Sequence, residues 1–236
     1  MSTGPRYQQI KSFILNGVLQ QQYPSGSKIP TEAQLVKQFG VSRMTVNKAI
    51  RDLVQENILT RHPGIGTFVA KPKAESPLID IKNIAEEVRQ RGNIYSCKII
   101  KLVATTAYED IAMQMGVPIQ TPIFHSIIVH LEDAIPIQLE DRYVIVSLAP
   151  EYINQDFTAL TPNEYLSNIC PISNVEHIVE ASLPCREKQK HLNINEMTAC
   201  LIVNRRTWSD GRLVSLACLT HPGTRYKLKS ITSLTI

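Results

Sequence analysis

Arg43, Thr45, Asn47, Lys48 and Arg51 share a short stretch with Val46, Ala49, Ile50 and Leu53. At helical spacing the two sets fall on different faces, one apolar for a core and one rich in hydrogen-bond donors. An arginine near a helix start reaches guanine edges, threonine and asparagine add specificity, and lysine meets phosphate. Farther on, His125 and His130 stand five apart in an apolar run, so on a strand they face opposite sides and form no two-histidine metal site. Glu140-Asp141-Arg142-Tyr143 is a polar run inside another apolar strand pattern, and one of its sides must meet solvent or a ligand. No nucleophile elbow, metal cluster or phosphate loop is present in the chain, so no catalysis, metal or cofactor is expected.

The donor-rich stretch is framed by residues that start and stop helices. Thr31 is suited to cap a helix and Glu32 to sit in its first turn, where the dipole favours negative charge. Leu35, Val36 and Phe39 follow at helical spacing, Gly40 ends the helix, and Ser42 caps the next one. Two short helices around a glycine turn, the second carrying the donors, make a helix-turn-helix whose second helix enters a major groove. Arg6–Tyr23 predicts a preceding helix. Leu59-Thr60-Arg61 and Thr67-Phe68-Val69 predict a hairpin wing around His62-Pro63-Gly64-Ile65-Gly66, with Gly64 and Gly66 allowing close backbone approach to DNA. Arg61, His62 and Lys48 are assigned to phosphate, Arg43 to the dominant guanine contact, and Thr45 and Asn47 to further base reading.

Charge follows the same division. Residues 1–73 hold 10 Lys and Arg against 3 Asp and Glu, whereas residues 74–236 hold 15 against 18. The basic excess surrounds the helix-turn-helix, as a phosphate-binding surface requires. Five scattered cysteines without CxxC spacing, no secretory leader and no long apolar run predict reduced thiols in a cytoplasmic protein with no membrane partner.

The stretch Ala70–Leu78 is polar and contains two prolines, and reads as a linker. The expected organisation is a DNA-binding domain over 1–71, a linker over 72–79 and a second domain over 80–236. In the latter, helices are expected over 80–91, 108–116, 162–169 and 185–192, the first with Asn83 able to cap it. Strands are expected over 96–103, 123–131, 135–146, 174–183, 199–208 and 212–221. Hairpin-short connections at Glu132–Ala134 and Ser209–Gly211 argue for an antiparallel sheet with packed helices, an α+β domain. A gapless repeat at a spacing of 77 aligns Met115-x-Val117 with Leu192-x-Ile194 and IFHSIIVHL with CLIVNRRTW, so that His130 corresponds to Thr207 and Ile128 to Arg205. Two related halves would then frame a ligand cleft.

The run PSGSKIPTEAQLVKQFGVSRMTVNKAIRDLVQENILTRHPGIGTFV resembles the winged-helix domain of GntR-family bacterial transcription regulators. The resemblance implies DNA contacts from the set Thr31, Glu32, Ser42, Arg43, Thr45, Asn47, Lys48, Arg61, His62, Gly64 and Gly66. Position 33 is Ala here, where some members carry a DNA-contacting Arg. Asn83-Ile84-Ala85, Arg91-Gly92, Pro136, Glu140 and Pro222-Gly223-x-Arg225-Tyr226 resemble the UTRA effector domain of the HutC subfamily, whose fold is like that of chorismate lyase. Within that subfamily FHSIIVHLEDAIPIQLEDRYV, TPNEYL, VEHIVEA, RRTW and HPGTRY extend the match. What this implies is repression of histidine-degradation genes from an inverted-repeat operator by a homodimer, with urocanate as inducer. Sugar-phosphate-sensing relatives often carry Arg at positions 128 and 130; Ile128 and His130 fit a smaller, less charged ligand. The expected pocket takes Ser126, His130 and Thr207, with Glu140 accepting an imidazole N–H and Arg142 beside it. Arg205 or the helix start at Asn83 holds a carboxylate, and His221 and Tyr226 close the site.

Overall fold

The computed structural model describes residues 5–56, 58–70, 73–77 and 83–229. The chain divides into two compact units, Met1–Pro72 and Lys73–Ile236.

The first unit contains three helices, α1 (Arg6–Leu19), α2 (Glu32–Phe39) and α3 (Arg43–Gln55), and a hairpin of β1 (Leu59–His62) and β2 (Gly66–Val69). Thr31 forms a capping box with Gln34 at the start of α2. Gly40 takes a left-handed φ of 61°, and the Ser42 hydroxyl caps α3 by accepting from the Thr45 N–H. Ile10, Ile14, Leu35, Val46, Ile50, Leu53 and Leu59 form one core beneath the helices. The first helix is shorter than the expected Arg6–Tyr23. It stops at Leu19 because Gln21 adopts a φ of 60° and Tyr23 precedes Pro24, which disfavours the helical region. Segment 26–29 lines up with β2 through Ile29 N–H to Thr67 O and Val69 N–H to Ser27 O, anchoring the wing at its base.

The second unit is built on one six-stranded antiparallel sheet. In chain order its elements are β3 (Ala74–Pro77), α4 (Ile84–Gln90), β4 (Tyr95–Thr106), α5 (Glu109–Met115), β5 (Pro122–Glu132), β6 (Ile135–Ile145), α6 (Pro162–Ile169), β7 (Asn174–Ser182), α7 (Arg186–Leu192), β8 (Cys200–Ser209), β9 (Arg212–Pro222) and β10 (Tyr226–Lys229). The large sheet has the order β4-β5-β6-β9-β8-β7, which reads the same in both halves. Asp141 pairs with Cys218, 77 positions on, so a pseudo-two-fold passes through that pair. Register slips at His130/Leu131 and at Thr207/Trp208, equivalent places in the repeat. Both hairpins turn on two residues of positive φ, Asp133-Ala134 and Asp210-Gly211. The repeat read from the sequence is thus present in the topology, the register and the turns.

One sheet face packs under α4, α6 and the connection 146–161, through Phe124, Ile128 and Val144 against Tyr152, Phe157, Tyr165 and Leu166. The other face packs under α5 and α7, which bury Ile111, Met115 and Leu192. The stretch read as a linker requires a correction. Its residues Ala74–Pro77 form a strand paired in parallel with β10, and so belong to the second unit. Positions 71, 72 and 78–82, including the expected start of the helix at 80, lie outside the described residues.

Replacing Thr31 by Ala removes the hydroxyl that accepts from the Gln34 N–H, leaving the bond from its own backbone N–H to the Gln34 side chain, and is expected to lower stability of the first unit by about 1 kcal/mol. Urea unfolding of the full chain followed by far-UV circular dichroism measures this.

Candidate DNA-reading and effector-binding sites

The first unit presents the donor-rich side of α3 to solvent. Arg43, Met44 and Lys48 are exposed, and Thr45 and Asn47 partly so, while Val46, Ala49, Ile50 and Leu53 are buried beneath. Ser42 and Thr45 share a hydroxyl contact of 3.0 Å. Arg61 on the wing donates to Glu32 Oε1 at 2.5 Å and to Asn47 Oδ1 at 3.5 Å, joining α2, β1 and α3. Lys48, assigned to phosphate, places Nζ 4.3 Å from the Tyr7 ring centre. His62 meets the Phe68 ring edge-on at 5.4 Å. Gly64 has φ +74° with open space around it. Gly66 has φ +140°, and a Cβ there would meet the Lys28 side chain at 2.4 Å. The sequence reading passed over Met44, which is 83% exposed between Arg43 and Thr45. Its signal was an apolar residue standing on the donor side of an amphipathic helix.

In the second unit, strand register gathers the expected pocket residues on one face. Across β5 and β6, Ser126 pairs with Arg142, Ile128 with Glu140 and His130 with Gln138. Arg142 then pairs with Ala217, Ala217 with Arg205, and Ser215 with Thr207. His125 lies on the opposite face, where Nε2 meets Asp141 at 2.8 Å. Arg142 and Glu140 are almost fully buried, at 1% and 3% exposure. Arg142 Nε donates to Glu140 Oε1 at 2.6 Å and Nη1 to Ser215 Oγ at 2.9 Å. His130 Nε2 stands 3.4 Å from Glu140 Oε2, and Nδ1 is 2.8 Å from the Tyr95 hydroxyl. Ser126 is engaged by the Tyr152 hydroxyl at 2.7 Å. Thr207 is buried on the same face. His221 stacks on Tyr226 at 3.8 Å and meets Gln138 Nε2 at 3.3 Å.

Asn83 has a structural role. Its Oδ1 accepts from Ala85 N–H and the Thr161 hydroxyl, and its Nδ2 donates to Glu164, so it caps α4 and ties it to α6. Tyr95, Gln138, Tyr152 and Ser215 also belong to the cluster and were absent from the sequence reading. Gln138 and Ser215 share the parity of Glu140 and occupy equivalent places in the repeat, a signal that alternation alone carried.

Burial disfavours a charged Glu140, but Arg142 and then His130 outweigh it and hold the carboxyl well below the usual range. Burial, with Arg142 adding like-charge repulsion, pushes Arg205 down to about 10. Burial, helped by His130, pushes His221 down to about 3, so its ring is neutral at physiological pH. Among the described residues, four atoms of this face are buried without a hydrogen-bond partner, Gln138 Oε1, Arg142 Nη2, Arg205 Nε and His221 Nδ1, and His130 Nε2 has only the long approach to Glu140. A buried donor or acceptor left unpaired costs about 1–3 kcal/mol, so such a group of them calls for further polar partners on this face. Arg205 is paired only through Nη1 to Asn163 Oδ1 at 3.3 Å, and no carboxylate among the described residues lies within ion-pair distance of it. The arrangement presents two guanidinium groups on one sheet face together with side-chain acceptors and donors.

Two family models match the chain. One, described as bacterial regulatory proteins, gntR family, covers residues 6–69; the other, the UTRA domain, covers residues 90–227. The chain is 43% identical over 225 residues to the histidine utilization repressor of Klebsiella aerogenes, covering 95% of this chain and 93% of that one. It is 41% identical over 225 residues to the histidine utilization repressor of Pseudomonas putida, covering 95% and 91%. Among solved structures, the C-terminal domain of the histidine utilization repressor from Pseudomonas syringae pv. tomato aligns with a TM-score of 0.58 at 40% identity, covering 60% of this chain and all of that one. PhnF from Mycobacterium smegmatis aligns over 96% of this chain and all of its own with a TM-score of 0.67; at 21% identity it shares the fold. Among the described residues no helix is long and apolar enough to cross a membrane.

Arg142→Ala leaves Glu140 buried without its partner and is expected to destabilise the second unit by about 3–5 kcal/mol in chemical denaturation. Acid provides a second test. His221 is neutral when folded, with its value at about 3, and takes a proton near 6.5 when unfolded. The unfolded state therefore binds more protons between those values, and stability falls as pH drops through that window. His221→Gln is expected to flatten that slope by up to about 1.4 kcal/mol per pH unit, measured by denaturation at stepped pH.

Proposed function

The chain belongs to the gntR family of bacterial regulatory proteins and carries a UTRA domain, and on that premise we propose that it represses histidine-utilisation genes and is released from their operator by urocanate. The single observation that carries the effector half of this reading is the group of unpartnered buried polar atoms on one sheet face. Urocanate is a flat acid with a carboxylate at one end and an imidazole at the other. Its carboxylate suits Arg205 Nε and Arg142 Nη2, a charged pair of edges already desolvated. Its ring matches the partners of Glu140, His130 and Gln138, which supply a carboxylate, a ring nitrogen and an amide oxygen. A sugar phosphate fits less well, because one of the two guanidinium groups is already neutralised by Glu140, Ile128 and His130 stand where a second pair of arginines would add charge, and among the described residues Arg142 and Arg205 are the buried Lys or Arg side chains.

The DNA half rests on the exposed donors of α3 and on the basic balance of the first unit. Arg43 at the helix start takes the guanine contact, Thr45 and Asn47 read neighbouring bases, and the wing approaches the backbone through Gly64. One such head reads one half-site, so the working form is a homodimer on an inverted repeat. Urocanate acts by binding more tightly to the arrangement that does not fit the operator, shifting the population toward it.

Fluorescence anisotropy on duplexes from the control region of histidine-degradation genes tests this reading. Wild type is expected to bind one inverted repeat tightly and to be released by urocanate. Arg43→Ala is expected to lose about 1–3 kcal/mol of that binding while still binding urocanate. Undiminished operator affinity of Arg43→Ala at matched salt, or wild-type binding indifferent to urocanate, contradicts it.

A further inference from the structure

Arg61 lies where a wing residue would be expected to anchor phosphate, yet its guanidinium is already occupied. Nη2 meets the Glu32 carboxylate at 2.5 Å, and Nη1 meets an oxygen of Asn47 at 3.5 Å. Arginine has donors and no acceptor, so the Asn47 atom turned toward it must be the amide oxygen, whatever the amide orientation elsewhere. That leaves Nδ2 as the hydrogen-bonding atom Asn47 can extend into a groove. Adenine is read by an asparagine that uses both ends at once, accepting from N6 and donating to N7. Turned toward Arg61, the oxygen keeps a second lone pair but is directed away from the N6 it would have to meet while Nδ2 meets N7. Adenine could then be contacted at N7 alone with its N6 amino group left unpaired, whereas a lone donor is fully matched by the acceptor edges O6 and N7 of guanine or O4 of thymine.

We infer that the Glu32–Arg61–Asn47 bridge sets the base preference of the recognition helix, with Arg61 acting as a positioning residue that turns Asn47 toward guanine or thymine and away from adenine. This rests on the DNA-reading assignment of α3. Glu32 supplies the second half of the device. By pairing with Arg61 it fixes the guanidinium beside α3 and cancels the charge that would otherwise seek phosphate. Three elements far apart in sequence, the first turn of α2, the middle of α3 and the end of β1, thereby jointly determine one base contact.

The test is selection of bound sequences from a duplex library randomised across the half-site, followed by affinities for the four single-base variants at the position whose preference disappears in Asn47→Ala. Wild type is expected to prefer guanine or thymine there. Arg61→Ala frees the Asn47 oxygen and is expected to raise adenine relative to the wild-type base by about tenfold or more. Arg61→Lys, which keeps a donor, retains the wild-type preference, and Glu32→Gln shifts it part of the way. Circular dichroism shows whether each variant stays folded; Arg61 is exposed, so little loss is expected. A phosphate role predicts something else: a salt-dependence slope lower by about one in Arg61→Ala with base preference unchanged. That result, or a wild-type preference for adenine, or no change of preference in Asn47→Ala, overturns the inference. Wild type that shows no sequence preference at any position defeats the DNA-reading assignment itself, and this inference with it.

Discussion

Two charges stand two residues apart on β6, buried on the same side of the sheet. Glu140 and Arg142 are tolerable there only because each satisfies the other, with Ser215 and His130 taking up further valences. An ion pair of this kind contributes little net stability compared with an apolar core of equal volume. Its effect is to fix what can surround it. Of the positions directly paired with them only Ser126 is polar, the others being Ile128, Ala217 and Leu219, and the further polar groups of this face, His130, Thr207 and Arg205, stand one step farther along or across the sheet. The covering layer must also supply hydroxyl and amide partners, as Tyr152 and Asn163 do. The result is a face with more hydrogen-bonding capacity than the protein itself uses, and a positively charged edge at Arg205.

The pseudo-two-fold explains how a small domain acquired such a face. The two halves supply equivalent strands, bulges and turns, so the same pleat positions point into the same space from both sides. The residues at those positions differ. His130 answers Thr207, Ile128 answers Arg205, and Glu140 and Arg142 answer Ala217 and Leu219. The backbone is duplicated while the chemistry is not, so a symmetric frame holds an asymmetric set of side chains. Across the chain the first unit has a comparable arrangement on a smaller scale, where Arg61 links three elements into one reading surface.

Much of this was legible from residue types. Caps at Thr31 and Ser42, the turn at Gly40 and the stripe of Val46, Ile50 and Leu53 define the helix-turn-helix through local rules, and local rules survive folding. Strand parity placed Ser126, His130, Glu140 and Arg142 on one side because alternation has a period of two. The repeat pointed to two related halves, and the strand order is palindromic. What failed to show was non-local. The parallel pairing of Ala74–Pro77 with Tyr226–Lys229 joins segments at opposite ends of a domain, and no periodicity reports such a partner. Asn83 looked available as an anion-binding helix start, but Ala85 N–H and the Thr161 hydroxyl share its oxygen and Glu164, brought by α6, takes its amide nitrogen. Tyr95 reaches the cluster from the start of β4 and Tyr152 from a 3-10 turn over Tyr152–Asn154, where a side chain's direction is set by packing and not by pattern.

The measurement that bears most directly on the unpaired face is calorimetric titration of the full chain with urocanate, with histidine and glucosamine 6-phosphate as comparators, repeated on Arg205→Ala. Selective binding of urocanate by wild type, lost in a folded Arg205→Ala, is the predicted result. Equal binding of urocanate by both proteins, or binding of the sugar phosphate in preference to it, would contradict the assignment of this face as the site of an imidazole acid.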